Sequence, residues 1–221
     1  MLSQSKKVII AKRIAEELEE GSIVNLGVGI PTKIPDYLDG KNVHLHSENG
    51  LIGIGPKPSK ENLNMDLISA SKNPITMEKG AAIFDSASSF AMIRGGHIDV
   101  AVLGILQVDK FGEISNWSIP GEPILGVGGA IDLIAGANKI YLASIHQSKY
   151  GEPKLIEKLT YPSSGVRRAD KLFTEHAVFR FTEEGPELIE IISDISLEEL
   201  FEITGTDFTV NLPERHRTQI N

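Results

Sequence analysis

The stretch SIVNLGVGIPT, residues Ser22–Thr32, indicates the fold class because it joins a short apolar strand to a glycine-rich turn. Pro31 stands where a new helix can begin, since proline is favoured in the first helical turn. The following segment NVHLHSENG, residues Asn42–Gly50, alternates apolar and polar side chains, as a second strand does. This pattern places Glu48 at or just beyond the end of that strand. Strand, turn, helix and strand in this order are the unit from which parallel sheets are built.

The same order of elements recurs along the rest of the chain. An amphipathic helix is predicted over Lys6–Glu20, with Ser5 as its N-cap and Gly21 as its stop. The later predicted elements are a capped helix in 85–96 that stops at Gly95, one nearly continuous apolar strand in 98–108, a helix and strand in 129–145, a hairpin or a loop-linked strand pair around Thr182–Pro186, and a last helix with a capping box at Ser196 and Glu199 that ends at Gly205. We therefore predict an α/β fold with an open, mainly parallel sheet and flanking helices, in a single domain over residues 1–221.

The composition narrows the function classes. Hydrophobic residues make up 41% of the 221 residues, and 22 Lys and Arg stand against 30 Asp and Glu, so the net charge is −8. An acidic chain lacks the basic surface that binds duplex nucleic acid. The chain has no Cys, which excludes disulfides and thiolate nucleophiles. No apolar run approaches the roughly 20 residues of a membrane span, and the first residues lack the apolar core of a signal peptide. We expect a cytoplasmic protein without a nucleic-acid or membrane partner.

Two motifs suggest ligand sites without defining them. The turn NLGVGIP follows a strand, as a dinucleotide-binding turn does, but it lacks the third glycine of GxGxxG. Because Glu48 lies roughly where such a site needs an acidic residue, a nicotinamide cofactor stays an open alternative. His44 and His46 share one face of the predicted second strand, yet two imidazoles alone do not complete a metal site. We expect these histidines to face solvent or a partner, and we predict no metal.

Glu48 has two possible roles in its turn. Asn49 and Gly50 could simply form the tip of a polar turn. Alternatively, Glu48 could be a carboxylate nucleophile that forms a covalent intermediate. Attack on a carbonyl would require hydrogen-bond donors for the developing oxyanion. The backbone amides of Gly129 and Ala130, at the start of a predicted helix, are candidates, although these residues could equally serve close packing. Spacing alone leaves both roles open.

Six sequence blocks together resemble the B subunit of the class I 3-oxoacid coenzyme A transferases, which act as succinyl-CoA:3-ketoacid, acetoacetate and 3-oxoadipate enzymes. The blocks are VNLGVGIPT (24–32), HSENGLIGIGP (46–56), DLISASK (66–72), SSFAMIRGGHIDVAVLG (88–104), LQVDKFGEISNW (106–117) and GVGGAIDLIAGA (126–137). Weaker similarity continues to ISDISLEEL, so the resemblance covers nearly the whole chain. The combination of SENG with IRGGH is far more specific than any single glycine motif.

The resemblance implies a reaction and a set of site residues. The family's catalytic glutamate in SENG matches Glu48, which would carry CoA as a glutamyl-CoA thioester in a ping-pong reaction. The other matching positions are Asn25, Gly27 and Gly29 for binding coenzyme A, and the amides of Gly129 and Ala130 for the oxyanion and thioester. No cofactor is implied, since coenzyme A is a substrate.

The resemblance also implies an architecture, partners and substrates. The fold would be like that of ribose-phosphate isomerase and glucosamine-phosphate deaminase. An A subunit would complete the site, in a heterotetramer, and the substrates would be an acyl-CoA and a carboxylic acid. Succinyl-CoA or acetyl-CoA is the expected donor, and acetoacetate is favoured over 3-oxoadipate as the 3-oxo acid. Two alternatives remain: an acyl-CoA hydrolase that uses Glu48, and a non-catalytic ligand-sensing α/β module.

Overall fold

The computed structural model describes residues 2–124, 126–165 and 167–213. Within these ranges the α-helices are α1 (Leu2–Glu17), α2 (Ser86–Arg94), α3 (Ala130–Gly136) and α4 (Leu197–Glu202), and 3-10 helices span Ile30–Tyr37 and Lys60–Asn62. The strands are β1 (Ile23–Leu26), β2 (His44–Ser47), β3 (Leu51–Ile54), β4 (Met77–Ile83), β5 (Val100–Gly104), β6 (Gln107–Asp109), β7 (Ile114–Ser115), β8 (Lys139–Ala143), β9 (Leu155–Ile156), β10 (Lys171–Phe173), β11 (Ala177–Thr182), β12 (Gly185–Ile191) and β13 (Thr209–Val210).

A ten-stranded sheet in the order β13-β12-β11-β10-β8-β5-β1-β2-β3-β4 forms the centre of the described chain. The five adjacent strands β10, β8, β5, β1 and β2 are all parallel. Antiparallel pairs extend the sheet through β3 and β4 on one side and through β11 and β12 on the other. A smaller sheet has the order β7-β6-β9. The predicted α/β fold with an open, mainly parallel sheet is therefore confirmed.

The central strands are buried on both faces because their side chains alternate between two hydrophobic cores. In β5, Val100 and Val102 belong to a core shared with α1 and the first 3-10 helix. Ala101 and Leu103, which alternate with them, belong to a second core shared with α2 and α3. Burying a Val or Leu side chain stabilises a fold by roughly 1.5–3 kcal/mol. An apolar run without polar alternation therefore marks the middle of this sheet.

Several predicted local elements are confirmed by hydrogen bonds between residues that are close together in the chain. Helix α2 begins after Asp85, whose carboxylate accepts a hydrogen bond from the Ser88 amide, and it ends at Gly95. The capping box of Ser196 and Glu199 is formed at the start of α4. The predicted hairpin is the antiparallel pair β11 and β12. These elements depend on contacts only a few residues apart, which a sequence pattern describes well.

Three predicted boundaries are wrong. Helix α1 begins at Leu2 and ends at Glu17, so Ser5 lies inside the helix and is not its N-cap. The predicted strand in 98–108 is two strands, because the Leu106 amide bonds the Ser115 carbonyl and turns the chain into the smaller sheet. Helix α4 ends at Glu202, and the amide of Gly205 instead pairs with the Leu155 carbonyl. In the last two cases a tertiary hydrogen bond redirects the chain.

None of the helices in the described part of the chain has the length and apolar character that crossing a membrane requires.

Candidate active site

A cavity of about 580 Å³ lies at the edge of the sheet where the central parallel strands end. Its walls include the segments that follow β1, β2, β5 and β8, together with the start of α3. Parallel strands bring their carboxyl ends to the same edge, which is where open α/β sheets bind ligands. Five candidate residues line this cavity, namely Gly27, Gly29, Glu48, Gly129 and Ala130.

Glu48 projects from the turn that joins β2 to β3. Strand β2 ends at Ser47, whose carbonyl accepts a hydrogen bond of 3.0 Å from the Gly50 amide. Gly50 has a φ of 109°, and a Cβ there would collide with the Phe84 carbonyl, so this position requires glycine. The Asn49 side chain donates to the Ile68 carbonyl at 2.9 Å and ties the turn to the next loop. Glu48 is thus held on a constrained turn, half-buried at the end of its strand.

The carboxylate of Glu48 meets the first residues of α3. The amide of Gly129, the N-cap of that helix, hydrogen-bonds the carboxylate. A Cβ on Gly129 would lie 2.8 Å from the Glu48 carboxyl carbon, and nearer still to its Oε2. Burial raises the pKa of Glu48; the Gly129 amide opposes this, and the charge of Asp132 adds to it. The environment therefore keeps the carboxylate poorly solvated while one amide holds its position, as a nucleophile requires.

The two amides predicted as oxyanion donors have different partners. That of Gly129 binds Glu48 itself, whereas that of Ala130 donates to the Val127 carbonyl at 3.4 Å. Such a long bond is weak and leaves the Ala130 amide able to take a better acceptor. Both lie at the wall of the cavity, so the structure brings the predicted nucleophile and the predicted donors together.

The glycine-rich turn after β1 forms another wall. The Gly27 amide donates to the Val102 carbonyl at 2.8 Å, and an added Cβ would lie 3.0 Å from that oxygen. Gly29 has a φ of 94° and precedes the 3-10 helix in which Pro31 occupies the first turn. The predicted helix start at Pro31 is thereby confirmed. These backbone requirements explain both glycines without reference to any ligand.

Asn25 is buried and does not line the cavity. Its side chain is 2% exposed, and its Nδ2 lies 2.9 Å from Nδ1 of His46. Nε2 of His46 lies 3.1 Å from the Ser89 hydroxyl on α2. Because Nδ1 accepts from the amide, the neutral ring carries its proton on Nε2 and donates it to Ser89. Asn25 is therefore fixed by a buried polar chain that joins β1, β2 and α2.

The expectation that both strand histidines face solvent or a partner is wrong for His46. His44 is exposed, but His46 is 1% exposed. Burial lowers the pKa of His46 to about 4, so the ring is neutral at pH 7. Alternation along β2 placed the two histidines on one face, but the covering helix α2 buries only His46. Among residues 2–124, 126–165 and 167–213, no group of three or more His, Asp or Glu side chains could hold a metal ion.

Sequence reasoning missed two lysines that line the same cavity. Lys7 comes from α1, and the half-buried Lys154 lies between β8 and β9. The Lys154 ammonium donates to the Ser144 hydroxyl at 3.0 Å, and Ser144 directly follows β8. No motif or spacing in the sequence marks either lysine, because both approach the cavity from elements outside the glycine-rich turns.

Comparison with known proteins shows extensive similarity. A model of the family described as "Coenzyme A transferase" matches residues 7–202. Over 203 residues the chain is 45% identical to the B subunit of the succinyl-CoA:3-ketoacid coenzyme A transferase of Helicobacter pylori, covering 92% of this chain and 98% of that protein. Over 197 residues it is 44% identical to the B subunit of the 3-oxoadipate CoA-transferase of Pseudomonas putida, covering 89% and 92%.

A solved structure shows the same fold. The apoenzyme of an acyl-CoA transferase from Escherichia coli O157:H7 superposes with a TM-score of 0.76 at 24% identity. The match covers 95% of this chain but 43% of that longer chain. At this identity the likeness is one of architecture.

Proposed function

The chain belongs to the coenzyme A transferase family, with the B subunits of the succinyl-CoA:3-ketoacid and 3-oxoadipate type, and from this premise we propose that Glu48 carries coenzyme A as a thioester. The observation that carries the proposal is the position of its carboxylate. It is half-buried in a cavity at the sheet edge, and the amide of Gly129 holds it. A poorly solvated carboxylate at the start of a helix is well placed to attack a carbonyl.

The proposed reaction balances without a metal or an external acid. A Glu48 oxygen attacks the thioester carbonyl carbon of the donor, and the carbon–sulfur bond breaks. CoA departs as the thiolate, and an acyl–glutamyl anhydride is formed. The thiolate attacks the Glu48 carbonyl carbon, the bond from that carbon to the bridging oxygen breaks, and the donor's carboxylate departs. The acceptor carboxylate then attacks the glutamyl thioester and expels the thiolate, which gives a second acyl–glutamyl anhydride. The thiolate finally attacks the acceptor's carbonyl carbon, and the bond from that carbon to the bridging oxygen breaks. Product acyl-CoA leaves and the Glu48 carboxylate is restored.

The residues around Glu48 have complementary parts in this scheme. Each attack places negative charge on a carbonyl oxygen, and backbone amides at the cavity wall can stabilise it. The amides proposed for this are those of Gly129 and Ala130. The turn of Gly27 and Gly29 offers close backbone approach to coenzyme A. Asn25 is also proposed to contact coenzyme A. Its side-chain amide binds His46 and does not line the cavity, so this contact requires the amide to turn toward the cavity.

Several finer points belong to the same proposal. We favour acetoacetate as the 3-oxo acid, with succinyl-CoA or acetyl-CoA as donor. 3-Oxoadipate is the alternative, because the two relatives are named for different substrates at nearly equal identity. Because the names of both relatives describe one of two kinds of subunit, we propose an A subunit as the partner, in a heterotetramer.

The test is intact-mass measurement of the complex with its A subunit after exposure to acetoacetyl-CoA without an acceptor. We expect a coenzyme A adduct on Glu48 that succinate or acetate discharges. Glu48→Gln should give neither adduct nor transfer while the complex still assembles. The matched control is Glu61→Gln, which removes an exposed carboxylate outside the cavity. Transfer at the wild-type rate by Glu48→Gln would refute the mechanism, and coenzyme A release without any acceptor would instead indicate a hydrolase.

A further inference from the structure

We propose that Lys154 and Lys7 form an anion-binding subsite in the cavity that contains Glu48. The anion would be either the remote carboxylate of a dicarboxylic acyl group or a phosphate of coenzyme A. This inference rests on the transferase function proposed above and adds to it a group that selects the substrate.

The backbone on both sides of Lys154 is anchored, so its side chain does not project from a free loop. The Lys154 amide donates to the His146 carbonyl at 3.1 Å, and its carbonyl accepts from the Val108 amide at 2.8 Å. Its ammonium donates to the Ser144 hydroxyl at 3.0 Å, and that hydroxyl donates in turn to the Ile145 carbonyl. Together these contacts hold the ammonium beside the end of β8, at the cavity wall.

The charge of Lys154 is not neutralised by an ion pair. Within the described residues, Ser144 is the hydrogen-bond partner of its ammonium, and no carboxylate lies within salt-bridge distance. The carboxylate that acts on it electrostatically is Glu175. Glu175 already accepts from Lys6 at 3.0 Å and from the His146 amide at 2.8 Å. Because the nearby carboxylate already has other partners, binding of an anionic ligand to this half-buried cation can be favourable in free energy.

Lys7 strengthens this argument. Burial lowers the pKa of Lys154, Glu175 partly opposes this, and the positive charge of Lys7 adds to the lowering. The two ammonium groups are therefore near enough to repel, and an anion beside both would relieve that repulsion. The charged residues that line the cavity within the described chain are Lys7, Glu48 and Lys154. Once Glu48 is converted to an uncharged thioester, the two lysines remain, which favours entry of a carboxylate.

The test compares Lys154→Met with wild type, each assembled with the A subunit. Methionine keeps an unbranched stem of similar reach and removes the charge. The control is Lys158→Met, an exposed lysine nearby in the chain that does not line the cavity. The donor is acetoacetyl-CoA, and the acceptors are succinate and acetate. A parallel series uses acetoacetyl-pantetheine, which has no phosphates.

Two outcomes support the subsite and identify its anion. A loss of about 10- to 100-fold in kcat/KM for succinate, with acetate little changed, assigns the remote carboxylate. An equal loss with both acceptors that disappears with the pantetheine donor assigns a phosphate. In either case Lys154→Arg should restore part of the loss, because it keeps the charge.

One outcome overturns the proposal. It fails if Lys154→Met stays within twofold of wild type and of Lys158→Met for every substrate pair. If Lys154→Met does not assemble, Lys7→Met on α1 takes its place with the same criteria. If the wild-type complex transfers no coenzyme A, the proposed function itself is refuted. That result is distinct from failure of the subsite, because it is measured on the wild type alone.

Discussion

Replacing Gly129 by alanine should slow transfer strongly while leaving the protein folded. Gly129 has φ −83° and ψ 5°, a negative-φ conformation that is open to alanine as well as glycine. The added Cβ would lie 2.8 Å from the Glu48 carboxyl carbon, whereas ordinary contacts begin near 3.4 Å. The obstacle is the far end of a flexible side chain, so the carboxylate moves and the backbone does not. The carboxyl carbon must retreat by about 0.6 Å, and Oε2 by more.

The expected loss follows from that displacement. A misplacement of about 1 Å at a reacting group lowers rates by about 100-fold. Loss of the hydrogen bond from the Gly129 amide would act in the same direction, since one oxyanion-type donor contributes on the order of 10²–10³ in rate. We therefore expect kcat of Gly129→Ala to fall about 100-fold. The free energy of unfolding should change by less than about 1 kcal/mol, because the smaller entropy of the unfolded chain offsets a weaker N-cap.

The assay is steady-state exchange between acetoacetyl-CoA and succinate, with urea unfolding of the same preparations. Ile131→Ala is the control, because Ile131 lies in the same turn of α3, is 45% exposed and does not line the cavity. It should keep nearly wild-type kcat. Wild-type kcat in Gly129→Ala would show that the carboxylate position seen here is not the reacting one. A large loss of stability would show that the clash falls on the backbone.

Two further predictions concern pH. Asp132→Asn should move the acid limb of the pH–rate profile to lower pH. Burial and the Asp132 charge both raise the pKa of Glu48, so Glu48 should stay ionised at lower pH when that charge is removed. An unmoved or upward-shifted limb would contradict this reasoning. His46→Phe should destabilise the protein by about 1–3 kcal/mol at pH 7, because it leaves the Asn25 amide without its buried acceptor. Since the pKa of His46 is lowered to about 4 from an ordinary 6.5, its stabilisation is complete above pH 6.5 and is lost as pH falls toward 4. Urea midpoints measured from pH 7 to pH 4 should therefore decline less in the variant than in wild type, and equal slopes would exclude His46 as the cause.

The elements that the sequence predicted well are those built from neighbouring residues. Helix α2 has its cap at Asp85 and its end at Gly95, and α4 has its capping box, because each contact spans only a few positions. The nearly continuous apolar run that contains β5 indicated a strand buried on both faces, which the two hydrophobic cores confirm. The turn after β2 placed Glu48 at a strand end, and the family resemblance singled it out as a nucleophile.

Other features could not be predicted because they depend on the order of the strands in the sheet, which hydrophobic periodicity does not specify. The division of the predicted strand in 98–108 depends on Ser115, and the burial of His46 depends on Ser89 from a helix that follows two strands later. Lys154 carries no sequence signal because only the docking of its segment against β6 and β8 brings it to the cavity.

The residues thus determined the locally capped helices, the hairpin and the apolar central strand, and that Glu48 ends a strand beside glycines. The tertiary structure alone decided what surrounds it. Because β2, β1, β5 and β8 lie side by side and parallel, their carboxyl ends converge, and α3, which lies between β5 and β8 in the chain, directs the Gly129 amide toward Glu48. Contacts between segments so distant in the chain depend on packing in three dimensions, and no local pattern of residue types encodes them.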